Sequence, residues 1–143
     1  MTYTSGIFLN NDVGFKINAV DLSDHVSNFV LTRQKDQINV TSMGDTSSRF
    51  VSGLSNDEIT VTFFNDRGAG SVLATLQAAF GTTVSFAAIQ SKTDTVSATN
   101  VLYTGTILVD NLTDINGAVA DEAMIDITFT CNSTTAVATT GTF

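Results

Sequence analysis

A chain of 143 residues with 6 Lys and Arg against 14 Asp and Glu has a formal charge of −8. Its length suits one domain, and its charge has the wrong sign for gripping nucleic acid through phosphates. Only 14 % of residues are charged and 43 % are hydrophobic, against roughly 25 % charge in soluble domains, so part of the apolar surface is expected in contacts between subunits.

With no proline, and with β-branched residues and Phe recurring throughout, most of the chain reads as strand. Phe15, Ile17 and Ala19 alternate with Lys16 and Asn18. Asp21 to Val26 reads as a turn whose Asp and Ser side chains bond local amides. The extended pattern resumes at Asn28–Arg33 and Ile38–Ser42, around a polar connection at Gln34–Gln37. Met43 to Asn56 breaks the alternation and reads as a long loop, a kind of segment that is usually functional. Ile59, Val61 and Phe63 then face one way and Glu58, Thr60 and Thr62 the other.

Val72, Leu73, Leu76, Ala79 and Phe80 predict one helix over 71–80, capped by Ser71, stopped by Gly81 and packed on a sheet. Strands follow at Thr83–Gln90, Val101–Val109 and Ala123–Cys131. In the last, Ile125, Ile127 and Phe129 alternate with Asp126, Thr128 and Thr130. Lys92–Asn100 and Asn111–Glu122 read as loops. The polar tail at 132–143 reads as extended and ends in Phe143, an aromatic suited to docking on a neighbour. The expected architecture is mainly β: a single domain over 1–143, a β-sandwich or partly open barrel of about seven or eight strands with one flanking α-helix.

The same residues offer little chemistry. Cys131 is the lone cysteine, so neither an internal disulfide nor a cysteine metal cluster is expected, and a buried, inert thiol is. His25 is the lone histidine, and no Gly-x-Ser-x-Gly elbow accompanies it. The adjacent acids Asp57-Glu58 and Asp121-Glu122 point to opposite faces of any strand and do not converge on one atom. Asp114-Ile115-Asn116-Gly117 imitates a calcium loop, but Leu112 and Ala123 fall where its first and last ligands belong. The expectation is no enzyme, no cofactor and no metal. The first 16 residues lack a secretory pattern, and no apolar run approaches the ~18 residues of a membrane span, so a cytoplasm-like compartment is expected and the Asn-x-Thr triplets are coincidental.

From Asp21 to Phe64 the chain resembles the tail-tube proteins of long non-contractile phage tails. The likeness rests on Asp21-Leu22-Ser23-Asp24-His25-Val26, the strand Phe29–Arg33, the loop Val40–Phe50 with Gly44-Asp45-Thr46 and Arg49, and Gly53-Leu54 before Ile59–Phe63. Ser97–Gly105 and Asn116–Asp121 continue it, with Val101 standing where the family often has proline. Head decoration and head–tail joining proteins share the β-rich character and form the alternative. A carbohydrate-binding module is more remote, since two Tyr and no Trp make a poor sugar platform.

The resemblance implies stacked rings of about six subunits, each giving about four strands to one inner barrel. About 24 strands at ~4.8 Å spacing and ~40° tilt give a diameter near ~48 Å and a bore of roughly ~40 Å, enough for duplex DNA to pass unbound. It also implies a virion location after assembly in the host cytoplasm, with further copies and the tape-measure, terminator and tail-tip proteins as partners, and no membrane. Glu58, Thr60, Thr62, Asp126, Thr128 and Thr130 are the expected lumen face, because an acidic, hydroxyl-rich wall gives phosphate nothing to hold. Met43, Gly44, Asp45, Arg49, Phe50 and Val51, within the loop at 43–56, are the expected contacts between rings or neighbours.

Overall fold

The computed structural model describes residues 12–143. Strands β1 (Gly14–Ile17) and β2 (Val20–Asp21) form a tight hairpin. Its two central residues, Asn18 and Ala19, both have positive φ, 51° and 66°, the twist that a two-residue hairpin turn requires. The alternation expected to run through Ala19 therefore stops at Ile17. A short 3-10 turn at Ser23–His25 follows, and Asp21 accepts the Ser23 N–H at 3.0 Å, as the turn reading expects.

Next come β3 (Val26–Thr32), β4 (Lys35–Asn39), β5 (Phe50–Ser55), β6 (Glu58–Phe64) and helix α1 (Val72–Ala79). The chain then runs through β7 (Thr83–Ile89), β8 (Leu102–Leu108), β9 (Met124–Cys131) and β10 (Ala136–Ala138). Eight of the strands make one sheet in the order β2-β1-β7-β8-β9-β6-β3, with β10 also on β8; β4 and β5 pair separately.

The sheet folds over itself at β8. There β9 contributes only two pairs, Ile107↔Cys131 and Leu108↔Thr130, before departing to lie along β6. Past the corner at 132–135 the chain returns as β10, pairing with Leu102–Thr104. Ser133 Oγ accepts the Thr106 N–H at 3.1 Å between the two pairings. One end of the chain thus serves both layers, which is how sheet corners are made.

The inner faces meet in one cluster that includes Phe15, Ile59, Phe63, Ile107, Ile127 and Phe129, all fully or nearly fully buried. The Phe15 ring sits 4.9 Å from that of Phe29 and 6.1 Å from that of Phe63, within the range where aromatic pairs attract. No pairing joins β3 to β2 among the described residues, so the barrel stays open. A cleft of about 380 Å³, lined by Phe29, Leu31, Arg33, Ala88, Ile89 and Tyr103, opens between β3 and the ends of β7 and β8.

The helix buries Val72, Leu76 and Ala79 in this core and ends at Gly81, φ +80°. Two local expectations are corrected. Ser71 makes no side-chain cap, its hydroxyl lying 3.5 Å from His25 Nε2 instead. Phe80 is 54 % exposed, because it has already left the helical backbone and points away from the core. The tail also differs in one respect. Phe143 folds back onto its own chain, beside Ile89, Val96 and Leu102 and under the Lys16 ammonium, 4.4 Å from the ring centre. Gly14 makes the space: a Cβ there would lie 2.8 Å from the Phe143 ring.

Candidate assembly surfaces

Register brings the six expected lumen residues onto one face. In the β6–β9 ladder Glu58 stands opposite Thr130, Thr60 opposite Thr128 and Thr62 opposite Asp126. Their hydroxyl and carboxylate groups touch across the strands, Thr60 to Thr128 at 3.4 Å and Thr62 donating to Asp126 at 3.3 Å. Behind them every alternate residue from Ile59 to Phe129 is buried, so this face points outward from the sandwich.

Strand β3 widens the face by a column that sequence reasoning missed. Asn28 pairs with Thr62, Val30 with Thr60 and Thr32 with Glu58. The result is a three-strand exposed surface of Thr, Asn, Asp and Glu, with Val30 within it and the Phe64–Met124 pair at its end. Among these nine positions there is no cation. The missed signal was the alternation of Phe29 and Leu31 with Asn28, Val30 and Thr32, in which Val30 disguises the polar side.

The segment at 43–56 divides in two. Met43, Gly44, Asp45 and Arg49 lie in the connection between β4 and β5, whereas Phe50 and Val51 begin β5. The register places Phe50 opposite Asn39 and Val51 opposite Ile38, so Phe50 and Val51 point to opposite faces of the hairpin. Met43, Ile38, Val40, Phe50, Val51 and Leu54 are all exposed, Leu54 at 81 %. A hairpin with apolar side chains on both faces, neither covered by the described residues, is poorly stable alone in water.

The tip is nonetheless organised by polar bonds. Asp45 accepts the Ser42 N–H at 2.8 Å and the Ser42 hydroxyl at 3.1 Å, and Arg49 lies 3.6 Å from its other oxygen. The Ser42 amide, then its hydroxyl, and then Arg49 hold the Asp45 carboxyl below its usual range against slight burial. Gly44, at φ +93°, occupies the left-handed position that this turn needs.

At the hairpin's base sits Asp57, only 4 % exposed. One carboxylate oxygen accepts the Gln34 N–H at 3.2 Å and the other the Thr135 N–H at 3.0 Å. Burial pushes this carboxyl up, but the bonds from Thr135 and Gln34, with the charge of Arg33, outweigh it and leave the pKa lowered. The sequence marked Asp57 only as one of two adjacent acids. Its companion Glu58 is exposed on the outer face, as strand alternation requires.

His25 Nε2 lies 2.9 Å from Asp66 and 3.5 Å from the Ser71 hydroxyl, while Nδ1 is buried without a partner among the described residues. A relay needs acid and nucleophile on different ring nitrogens, and here they share one. Cys131 is partly buried, and burial, then the nearby Asp57 charge, raises its thiol pKa, which disfavours the reactive thiolate. Among the described residues no three His, Cys, Asp or Glu side chains are grouped to hold a metal ion. No helix among the described residues is long and apolar enough to cross a membrane.

Solved structures share this open, folded-over sheet with its single helix. The chain superimposes on one from the virion of a native gene transfer agent particle with a TM-score of 0.74 at 11 % identity, over 92 % of this chain and 99 % of that one. It matches a chain of the SPP1 tail tube with a TM-score of 0.71 at 13 % identity, over 92 % and 78 %. A chain from the tail of an empty gene transfer agent particle, described with C6 symmetry, follows at 0.60 and 11 % identity, over 80 % and 82 %. No protein-family model matches the sequence, and no curated protein matches it significantly.

Proposed function

We propose that this chain is a virion structural protein that assembles with copies of itself into stacked rings forming a tail tube through which DNA leaves the particle. The observation that carries this reading is the fold likeness over 92 % of the chain to the gene transfer agent virion chain and to the SPP1 tail tube. The register supports it: three adjacent strands present a polar face without a cation at its nine paired positions, and a sheet whose edges at β2 and β3 are unpaired among the described residues has room for strands from neighbours.

In this arrangement Glu58, Thr60, Thr62, Asp126, Thr128 and Thr130, with Asn28, Val30 and Thr32, line the lumen. Their carboxylates repel phosphate weakly and their hydroxyls offer no positive charge, so DNA slides without stalling. The hairpin, through Met43, Gly44, Asp45, Arg49, Phe50 and Val51, contacts neighbouring copies, which cover the apolar side chains that the single chain leaves in water. The protein acts by packing, without catalysis, and meets the tape-measure, terminator and tail-tip proteins at the ends of the tube. It resides in the virion tail after assembly in the host cytoplasm.

Electron microscopy of the concentrated purified protein tests the reading directly. Rings or tubes with a central bore are expected. A population of single molecules at every concentration, also in the presence of the remaining tail proteins, refutes it.

A further inference from the structure

The hairpin and the C-terminal tail are far apart in sequence but share one buried anchor. The hairpin leaves the body through Gln34 and re-enters through Asn56, where the Asn56 N–H donates to Gln34 O at 2.8 Å. The next residue, Asp57, bonds the Gln34 N–H through one carboxylate oxygen and the Thr135 N–H through the other. Thr135 belongs to the corner between β9 and β10, and its own position is 3 % exposed. The main chain of Asp57 joins the same corner, its carbonyl accepting the Cys131 N–H at 3.1 Å. Two amides are thus held by one carboxylate that water scarcely reaches, and an unpaired donor at either site carries a desolvation cost.

We propose that Asp57 is a positioning residue that couples the two elements, so that the hairpin holds its angle to the body only while the tail corner is docked. Loosening either end leaves Asp57 with one filled oxygen and one empty one, and the surviving bond then competes with water. The coupling is a property of the single chain. Its use, which is to admit the hairpin to a neighbour only after the tail has folded, rests on the tail-tube reading.

The charged and titratable groups around Asp57 are few. Arg33, at the end of β3, favours its ionised form, while Cys131 on β9 and Glu58 on β6 stand nearby. Its carboxyl lies below the ordinary aspartate range, so the anchor is closed at neutral pH and opens in acid.

The test uses amide hydrogen exchange and NMR on the unassembled chain. Thr135→Pro deletes both the amide donor and the hydroxyl and leaves the hairpin and Asp57 in place, while Thr135→Ala removes the hydroxyl alone and keeps the amide donor. With Thr135→Pro, exchange at Gln34 and Asn56 is expected to accelerate at least about tenfold, with Thr135→Ala near the parent. Acceleration confined to the tail overturns the coupling. Should Thr135→Pro fail to fold, the parent chain still decides: the Gln34 and Thr135 amide shifts are expected to titrate with one shared midpoint below that of free aspartate. Separate midpoints, or no titration at either amide, overturn it. Because every readout precedes assembly, a chain that shows the coupling but never forms tubes rejects the tube reading alone.

Discussion

The β6–β9 pair and the β4–β5 hairpin are both antiparallel ladders with apolar residues on their strands, yet they handle those residues in opposite ways. In β6–β9, Ile59, Val61, Phe63, Ile125, Ile127 and Phe129 are all 2 % exposed or less. In the hairpin, Ile38, Phe50, Val51 and Leu54 are between 49 % and 81 % exposed. The first pair satisfies its apolar face inside one chain and leaves its other face polar. The second carries apolar side chains on both faces and buries neither face among the described residues. The contrast separates residues that hold the fold from residues that are free to hold an assembly.

Phe63→Ala sharpens the contrast most. It removes a fully buried ring that packs near Phe15 and is expected to lower the unfolding free energy by about 3–5 kcal/mol, read by urea denaturation. A cost under about 1 kcal/mol shows that the body is not the sole source of stability.

A smaller effect is expected at the β1–β2 turn, which belongs to the body. Ala19 holds φ 66°, a left-handed conformation costly for a residue with a Cβ. Ala19→Gly relieves that cost and loses some chain entropy, for a net gain of about 0.5–1 kcal/mol and a higher melting temperature. A lower melting temperature refutes the turn assignment.

The acid response places Asp57 with the body. A folded-state pKa below the unfolded value means that the ionised carboxyl stabilises the fold at all pH above the unfolded value. That contribution is lost as pH falls through the lowered folded value. The urea midpoint is therefore expected to drop below about pH 4, with a shallower slope in Asp57→Asn. Equal slopes in both chains place the acid sensitivity at other carboxylates.

Phe50→Ala is expected to change the stability of the single chain least, by within about 0.5 kcal/mol, because its ring is half in water. The same variant is expected to abolish or greatly slow tube formation, followed by light scattering. A variant that polymerises at the parent rate removes the hairpin from the interface. Glu58→Lys combined with Asp126→Lys leaves stability near the parent value and makes DNA passage slower and dependent on salt. Unchanged ejection kinetics at low salt move these residues out of the bore.

The body was largely legible in the sequence because its strands are bound by burial on one side. From Glu58 to Phe63 and from Ile125 to Cys131 the two-residue period is unbroken, and β7, β8 and the helix end within a residue or two of their expected limits. The hairpin was half legible. β5 reads Phe-Val-Ser-Gly-Leu-Ser, and a strand apolar on both faces has no period to detect, so it looked like loop. The Asn18–Ala19 turn was hidden because Ala sits where such turns usually carry Gly. β10 is three residues long, and Phe143 docks by tertiary packing that no local pattern encodes. The polar columns on β6 and β9 were readable, while the third, on β3, needed the pairing register.

The corner at 132–135 has a consequence for the order in which the protein can be made. Strand β6 finds its partner β9 more than sixty positions later, and β8 gains its second neighbours only from 130 onward. A chain emerging from the ribosome must therefore wait, with β3–β6 and β7–β8 half paired, until residues 124–138 are released, and such non-local closure is slow. Release of β9 and β10 becomes the event that closes both layers, so a fragment cut off before Met124 keeps the edges of β6 and β8 open.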